Sequence, residues 1–171
     1  MHPGTDRDPR EQFAAAFERE TQITLRVLRA FPDDKLDLKP HPRLKSARDL
    51  AWLLVREQSM LQTALGPGFD WSRKQEPFPE PPRTMREIAD ALEAGLRLTL
   101  ATLRQGDDVQ LQRPVSWFTG PGAMGDVSMN QFLWFMLHDQ IHHRGQFSVY
   151  LRMAEGKVPS IYGPTADEPW T

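Results

Sequence analysis

Two histidines, His138 and His142, stand four residues apart in the segment LHDQIHHRGQ, residues 137–146. On an α-helix that spacing puts both imidazoles on one face, one turn and ~6 Å of rise apart, within reach of a single cation. Neutral imidazoles so placed are a common bidentate set for zinc, nickel or iron, and two ligands leave the site incomplete. Gln131, Trp134, Phe135, Gly145 and Val149 fall on the same side of this helix, so the pair is expected to face inward among apolar side chains. Gly145, one turn beyond, removes a side chain where a ligand needs room. Gln146 sits at the margin of that face, where it either orients a ligand water or satisfies a backbone group. Asp139, His143 and Arg144 lie about 100° or more from His138 around the helix and are expected to point away, toward inter-helix or subunit contacts.

The missing ligand must come from another helix, and Glu57 is the candidate. It lies in the middle of an apolar face, where a carboxylate has to be paired, protonated or bound to a metal because an isolated buried charge is very costly. A set of His138, His142 and Glu57 with open positions is the arrangement of a catalytic rather than a structural site, with Glu57 as third ligand or catalytic base. The plainer reading is that inward histidines hydrogen-bond within a core and that Glu57 is a paired core acid.

Four helical segments position these residues. Asp8-Pro9-Arg10-Glu11 opens the first, whose stripe runs from Phe13 through Phe17, Val27 and Leu28 to the stop at Phe31-Pro32. Glu20 falls on that stripe and is expected at its edge, reaching solvent. Ser46 with Asp49 caps the second, which carries Leu50, Leu54, Glu57 and Leu61 and closes at Gly66-Pro67. Thr84 and Glu87 form a capping box for the third, which runs to Gly106. Ser128 and Gln131 repeat the box for the fourth, which runs to about Glu155. Between them lie a proline-rich loop at 67–83 carrying Phe69, Trp71 and Phe78, and a glycine-containing stretch at 106–126. The latter is long enough to be either functional or a small hairpin. An all-α, four-helix bundle follows from this pattern.

The 171 residues fit one domain, 1–171. With a net charge of −2 and basic residues scattered along the chain, no phosphate-binding stripe forms and nucleic acid is not an expected partner. The absence of cysteine excludes disulfides, thiolate ligands and a cysteine nucleophile, and fits a cytoplasmic protein. No window approaches the ~20 apolar residues of a membrane span, so no membrane association is expected.

The run HDQIHHRGQFSVYLR followed by GKVPSIYGPTADE resembles the C-terminal signature of the DinB/YfiT-like superfamily of metalloenzymes. The PDDKLDLKP loop and the SARDLAWLLVREQ helix are similar to family segments at the same places. The resemblance implies a bundle of up-down-down-up topology, frequent homodimers, and a divalent metal held by one histidine of the second helix and two of an HxxxH in the last. The last two carry over onto His138 and His142. The first does not, because the family segment reads like LAWH and this chain has Leu50-Ala51-Trp52-Leu53. Glu57, one turn on from Leu53, is then the replacement ligand, or water fills the place, or the chain keeps the fold as a non-catalytic dimeric protein without metal. Characterised relatives imply a small-molecule substrate with a low-molecular-weight thiol, in a transferase or hydrolase reaction whose metal activates a thiol or a water.

Overall fold

The computed structural model describes residues 8–74 and 76–170. It is mostly helical: α1 (Pro9–Arg29), α2 (Ala47–Leu65), α3 (Met85–Gln105), a short α4 (Asp108–Gln112) and α5 (Met129–Met153), with a two-stranded sheet between α4 and α5. The starts lie where the capping residues put them. Asp8 accepts from the Arg10 amide at 2.8 Å, Ser46 from the Asp49 amide at 3.1 Å, and both Thr84–Glu87 and Ser128–Gln131 close reciprocal boxes. Each satisfies amides that the first helical turn leaves without a partner.

The all-α expectation is corrected at residues 114–128. β1 (Pro114–Gly120) and β2 (Ala123–Ser128) form an antiparallel hairpin in which Val115 faces Val127 and Trp117 faces Gly125. Alternation explains it: Val115 and Trp117 are buried while Pro114, Ser116 and Phe118 face out. The turn passes through Gly122 at φ +69°, a conformation that favours glycine. Trp117 packs on Phe132 and Phe69 with ring centroids 4.9 and 5.0 Å away, and the Trp71 indole donates to the Ser116 carbonyl at 2.9 Å. The proline-rich loop and the hairpin therefore share one aromatic cluster.

The long helices pack so that α1 and α2 each lie against both α3 and α5. Their apolar stripes build two clusters. One joins Phe13 and Phe17 of α1, Leu61 and Leu65 of α2, Leu96 to Leu103 of α3 and Phe132 to Leu137 of α5. The other joins Leu25 and Leu28, Leu50 and Leu54, Met85 to Leu92, and Phe147 to Leu151. Between the clusters, α1, α2 and α5 switch to buried polar residues: Glu20 and Thr21, Glu57 and Gln58, Gln140 and Arg144. Buried polar groups are costly unless partnered, so this layer is where the sequence departs from plain core packing. Among the described residues, no helix is long and apolar enough to cross a membrane.

Candidate metal centre

Within the polar layer, α2 and α5 bring three side chains together. Glu57 is 3% exposed, and its Oε1 lies 2.7 Å from His143 Nδ1. Asp139 Oδ1 is 3.8 Å from the same nitrogen, because residues 139 and 143 are one turn apart on α5. One donor atom from each of the three lies within 4.8 Å of the others. Glu57 Oε2 is buried without any hydrogen-bond partner, and His143 Nδ1, although in contact with Oε1, is not aligned with it as a hydrogen bond. Two oxygen donors, one nitrogen donor and an unpartnered buried carboxylate oxygen fit a cation. Two carboxylates also balance a divalent charge, with a neutral imidazole completing the set.

The electrostatics are those of a site that holds protons when no cation is present. Burial pushes the Glu57 pKa above the usual carboxylate range, offset in part by His143. The Glu57 carboxylate raises the His143 pKa; burial opposes that, Asp139 adds to it, and the Lys45 ammonium subtracts from it.

Of the residues singled out from sequence, Glu57 is inside the cluster. His138 and His142 are not: both are exposed on the outer face of α5, and the expectation that they face inward is corrected. His142 Nε2 meets the Gln146 side-chain nitrogen at 2.9 Å, and the His138 ring lies 6.1 Å from that of Trp134. The physical reason is the composition of α5, which is apolar on nearly every side, so its apolar residues do not mark a single face. Phe135 and Val149, which pointed to the histidine face, are 52% and 58% exposed. The buried stripe instead runs through Leu133, Met136, Leu137, Gln140, Arg144, Phe147 and Leu151.

Asp139, His143 and Arg144, expected to point away from the site, therefore point into the protein. The signal for Asp139 and His143 is the same i, i+4 spacing, shifted by one residue within DQIHH. Arg144 and Glu20 are corrected together. Arg144 Nη1 is 2.8 Å from Glu20 Oε2 in a buried ion pair, so Glu20 is no edge residue. Tyr162 donates its hydroxyl to Glu20 Oε2 at 2.5 Å and accepts from Arg144 Nη2 at 2.5 Å. Leu53 packs partly buried against the second apolar cluster, one turn before Glu57.

Gly145 opens no ligand space. A Cβ built there meets nothing within 4 Å, and the residue is exposed in the helix interior. Gly145→Ala is expected to stabilise the protein by about 0.5–1 kcal/mol, the cost of glycine in a helix. It should leave metal content unchanged; thermal melts and elemental analysis of the variant check both.

Comparison with known proteins follows the same geometry. The sequence pattern of the DinB family matches residues 3–170. The protein YrdA of Bacillus subtilis strain 168 is 25% identical over 159 residues, covering 92% of this chain and 90% of that protein. A DinB-like protein from Bacillus cereus ATCC 10987 superposes with a TM-score of 0.73 at 25% identity, over 89% of this chain and 97% of its own. A second DinB-like protein, YjoA of Bacillus subtilis, gives 0.69 at 19% identity, over 88% and 97%. With the match spanning nearly all of its length, the chain belongs to the DinB family.

Proposed function

We propose that the protein is a divalent-metal-dependent enzyme whose ion is held by Glu57, Asp139 and His143, rather than by Glu57 with His138 and His142. The observation that carries this is the convergence of one donor atom each from Glu57, Asp139 and His143 within 4.8 Å of one another, in a place where Glu57 Oε2 is buried without a partner. The oxygen-rich set favours zinc, iron or manganese over nickel. When bound, the cation supplies Lewis acidity that lowers the pKa of a thiol or a water, making a nucleophile near neutral pH. Asp139, partly exposed, marks the side from which a small molecule approaches, while α2 and α5 close the Glu57 side to water.

The substrate reading is a small molecule with a low-molecular-weight thiol, in a transferase or hydrolase reaction. A chain without cysteine takes such a thiol from outside. The fold reading is the DinB-like four-helix bundle in up-down-down-up order, supported by the way the N-terminal halves of α1 and α5 share a cluster with the C-terminal halves of α2 and α3. A homodimer belongs to the same reading, supported by Phe135, Val149 and Met153 exposed on α5. A second reading, a non-catalytic relative without metal, draws on Leu53 in place of a histidine.

Metal affinity distinguishes them through its pH dependence. Glu57 and His143 both bind their protons more tightly than usual, and a cation must displace them. Apparent affinity should therefore rise with pH, by about tenfold per unit for each proton displaced, up to the raised pKa of the pair. Without metal the sign is opposite. Groups whose folded pKa is raised contribute stability that is full below their unfolded values and lost as pH rises through the folded ones. Metal titrations and melts with and without chelator between about pH 5 and 8 test this range. An affinity flat across it means the ion, if bound, is not on this pair, and no binding at any pH favours the non-catalytic relative.

A further inference from the structure

One turn of α2 before Glu57, Leu53 forms part of the wall of a cleft of about 190 Å³. Its other walls are Trp52, from the same helix, and Phe78 from the proline-rich loop, with ring centroids 5.3 Å apart. That wall is pinned, since the Trp52 indole donates to the Pro79 carbonyl at 2.6 Å. Lys45 and Arg56 line the cleft, and neither cationic head has an ion-pair partner among the described residues. Its Lys45 ammonium acts electrostatically on His143 of the candidate metal centre. The Tyr150 hydroxyl donates to the Lys45 carbonyl at 3.1 Å, and Tyr150 lies two turns beyond His143 on α5.

Two carboxylates also border the space and decide what it accepts. Asp49 takes a hydrogen bond from the Ser46 hydroxyl at 2.7 Å within the α2 cap, which orients its carboxylate and leaves it negatively charged. Glu80 is exposed at the rim and repels a second anionic group on that side. Unpaired lysine and arginine heads beside two aromatic rings match a ligand with one carboxylate and an apolar body; the arginine fork suits carboxylate geometry in particular. Free volume on this scale admits part of a drug-sized molecule, not the whole.

We propose that this cleft is the anchoring subsite for a small monocarboxylic acid, with its carboxylate on Lys45 and Arg56 and its apolar body against Trp52 and Phe78. As a substrate subsite it rests on the metal-dependent reading above; as a carboxylate site it stands on its own residues.

The probe is 3-phenylpropionate, compared with its neutral amide, titrated into the full chain and followed by the NMR shift of the Trp52 indole N–H. Chelator-treated protein is used first, so that the acid has no ion to bind, and zinc-loaded protein second. The acid is expected to bind in both forms and at least about tenfold more tightly than the amide. Lys45→Gln and Arg56→Gln should each weaken it by about tenfold while leaving metal content unchanged. Equal binding of acid and amide, no binding of the acid, or binding indifferent to both substitutions overturns the proposal and leaves the metal reading untouched. Acid binding by a chain that takes up none of zinc, iron and manganese overturns the metal reading and leaves this cleft a carboxylate site.

Discussion

Purified His143→Ala protein is expected to hold less than about a tenth of the metal of the unmodified chain, and Glu57→Gln the same, whereas His138→Ala and His142→Ala hold the full amount. The contrast follows from placement: Glu57 and His143 touch at 2.7 Å inside the protein, while His138 and His142 stand in solvent. Stability separates a ligand from a structural residue. Without metal, Glu57 is a buried carboxylate with one oxygen unpartnered, so Glu57→Gln should melt at the same temperature or higher in chelator. Metal lost with stability kept marks a ligand. Elemental analysis of the four variants decides the assignment, and loss of metal in His138→Ala or His142→Ala, with retention in His143→Ala, would transfer the site to the outer face of α5.

Arg144→Leu carries the second large effect, a loss of about 3–5 kcal/mol, as expected when one partner of a buried ion pair is removed. For a chain of this size that corresponds to a fall of roughly 10 °C in thermal midpoint. The Arg144 and Glu20 side chains are 2% and 6% exposed, so removing the guanidinium leaves a buried carboxylate whose remaining side-chain donors are the Tyr162 hydroxyl and the largely exposed Arg19 guanidinium at 3.3 Å. Removing both charges in Glu20→Leu/Arg144→Leu should recover much of the loss, because no unpaired charge then remains. The pair also sets a pH limit. Burial acts to raise the Glu20 pKa, but the Tyr162 hydroxyl and the Arg144 guanidinium together hold it below the usual carboxylate range. A lowered folded pKa contributes stability that is present above the unfolded value and lost as pH falls through the folded one. Melts in acid should therefore show Tyr162→Phe losing stability at higher pH than the unmodified chain. Equal melts for Arg144→Leu and the unmodified chain would remove the ion pair from the account.

The starts of the four long helices were legible because caps are local. A side chain and the amides it satisfies lie within four residues, so Asp8, Ser46, Thr84 and Ser128 mark their helices without reference to the rest of the chain. The hairpin was half legible. The length of the stretch 106–126 left a functional loop and a small hairpin open, and the choice depended on Phe69, Trp71 and Phe132 arriving from elsewhere to cover Trp117. Glu57 was legible as a candidate site residue because a carboxylate in the middle of an apolar stripe has few physical explanations.

What the sequence determined by itself was a segment, HDQIHH, with two residue pairs at i, i+4 spacing on different faces of one helix, together with a carboxylate in the apolar stripe of another. Which face turned inward was decided only in the tertiary structure. His138 and His142 share the spacing of Asp139 and His143, and a one-residue step rotates a helical side chain by about 100°. In an amphipathic helix the apolar stripe would have resolved that rotation. In α5, apolar residues occur all round, and the rotation is set instead by Arg144 pairing with Glu20 on α1 and by Phe147 packing on Phe31. Those contacts span more than a hundred residues of chain, and with them in place the exposed histidines and the buried cluster are fixed together.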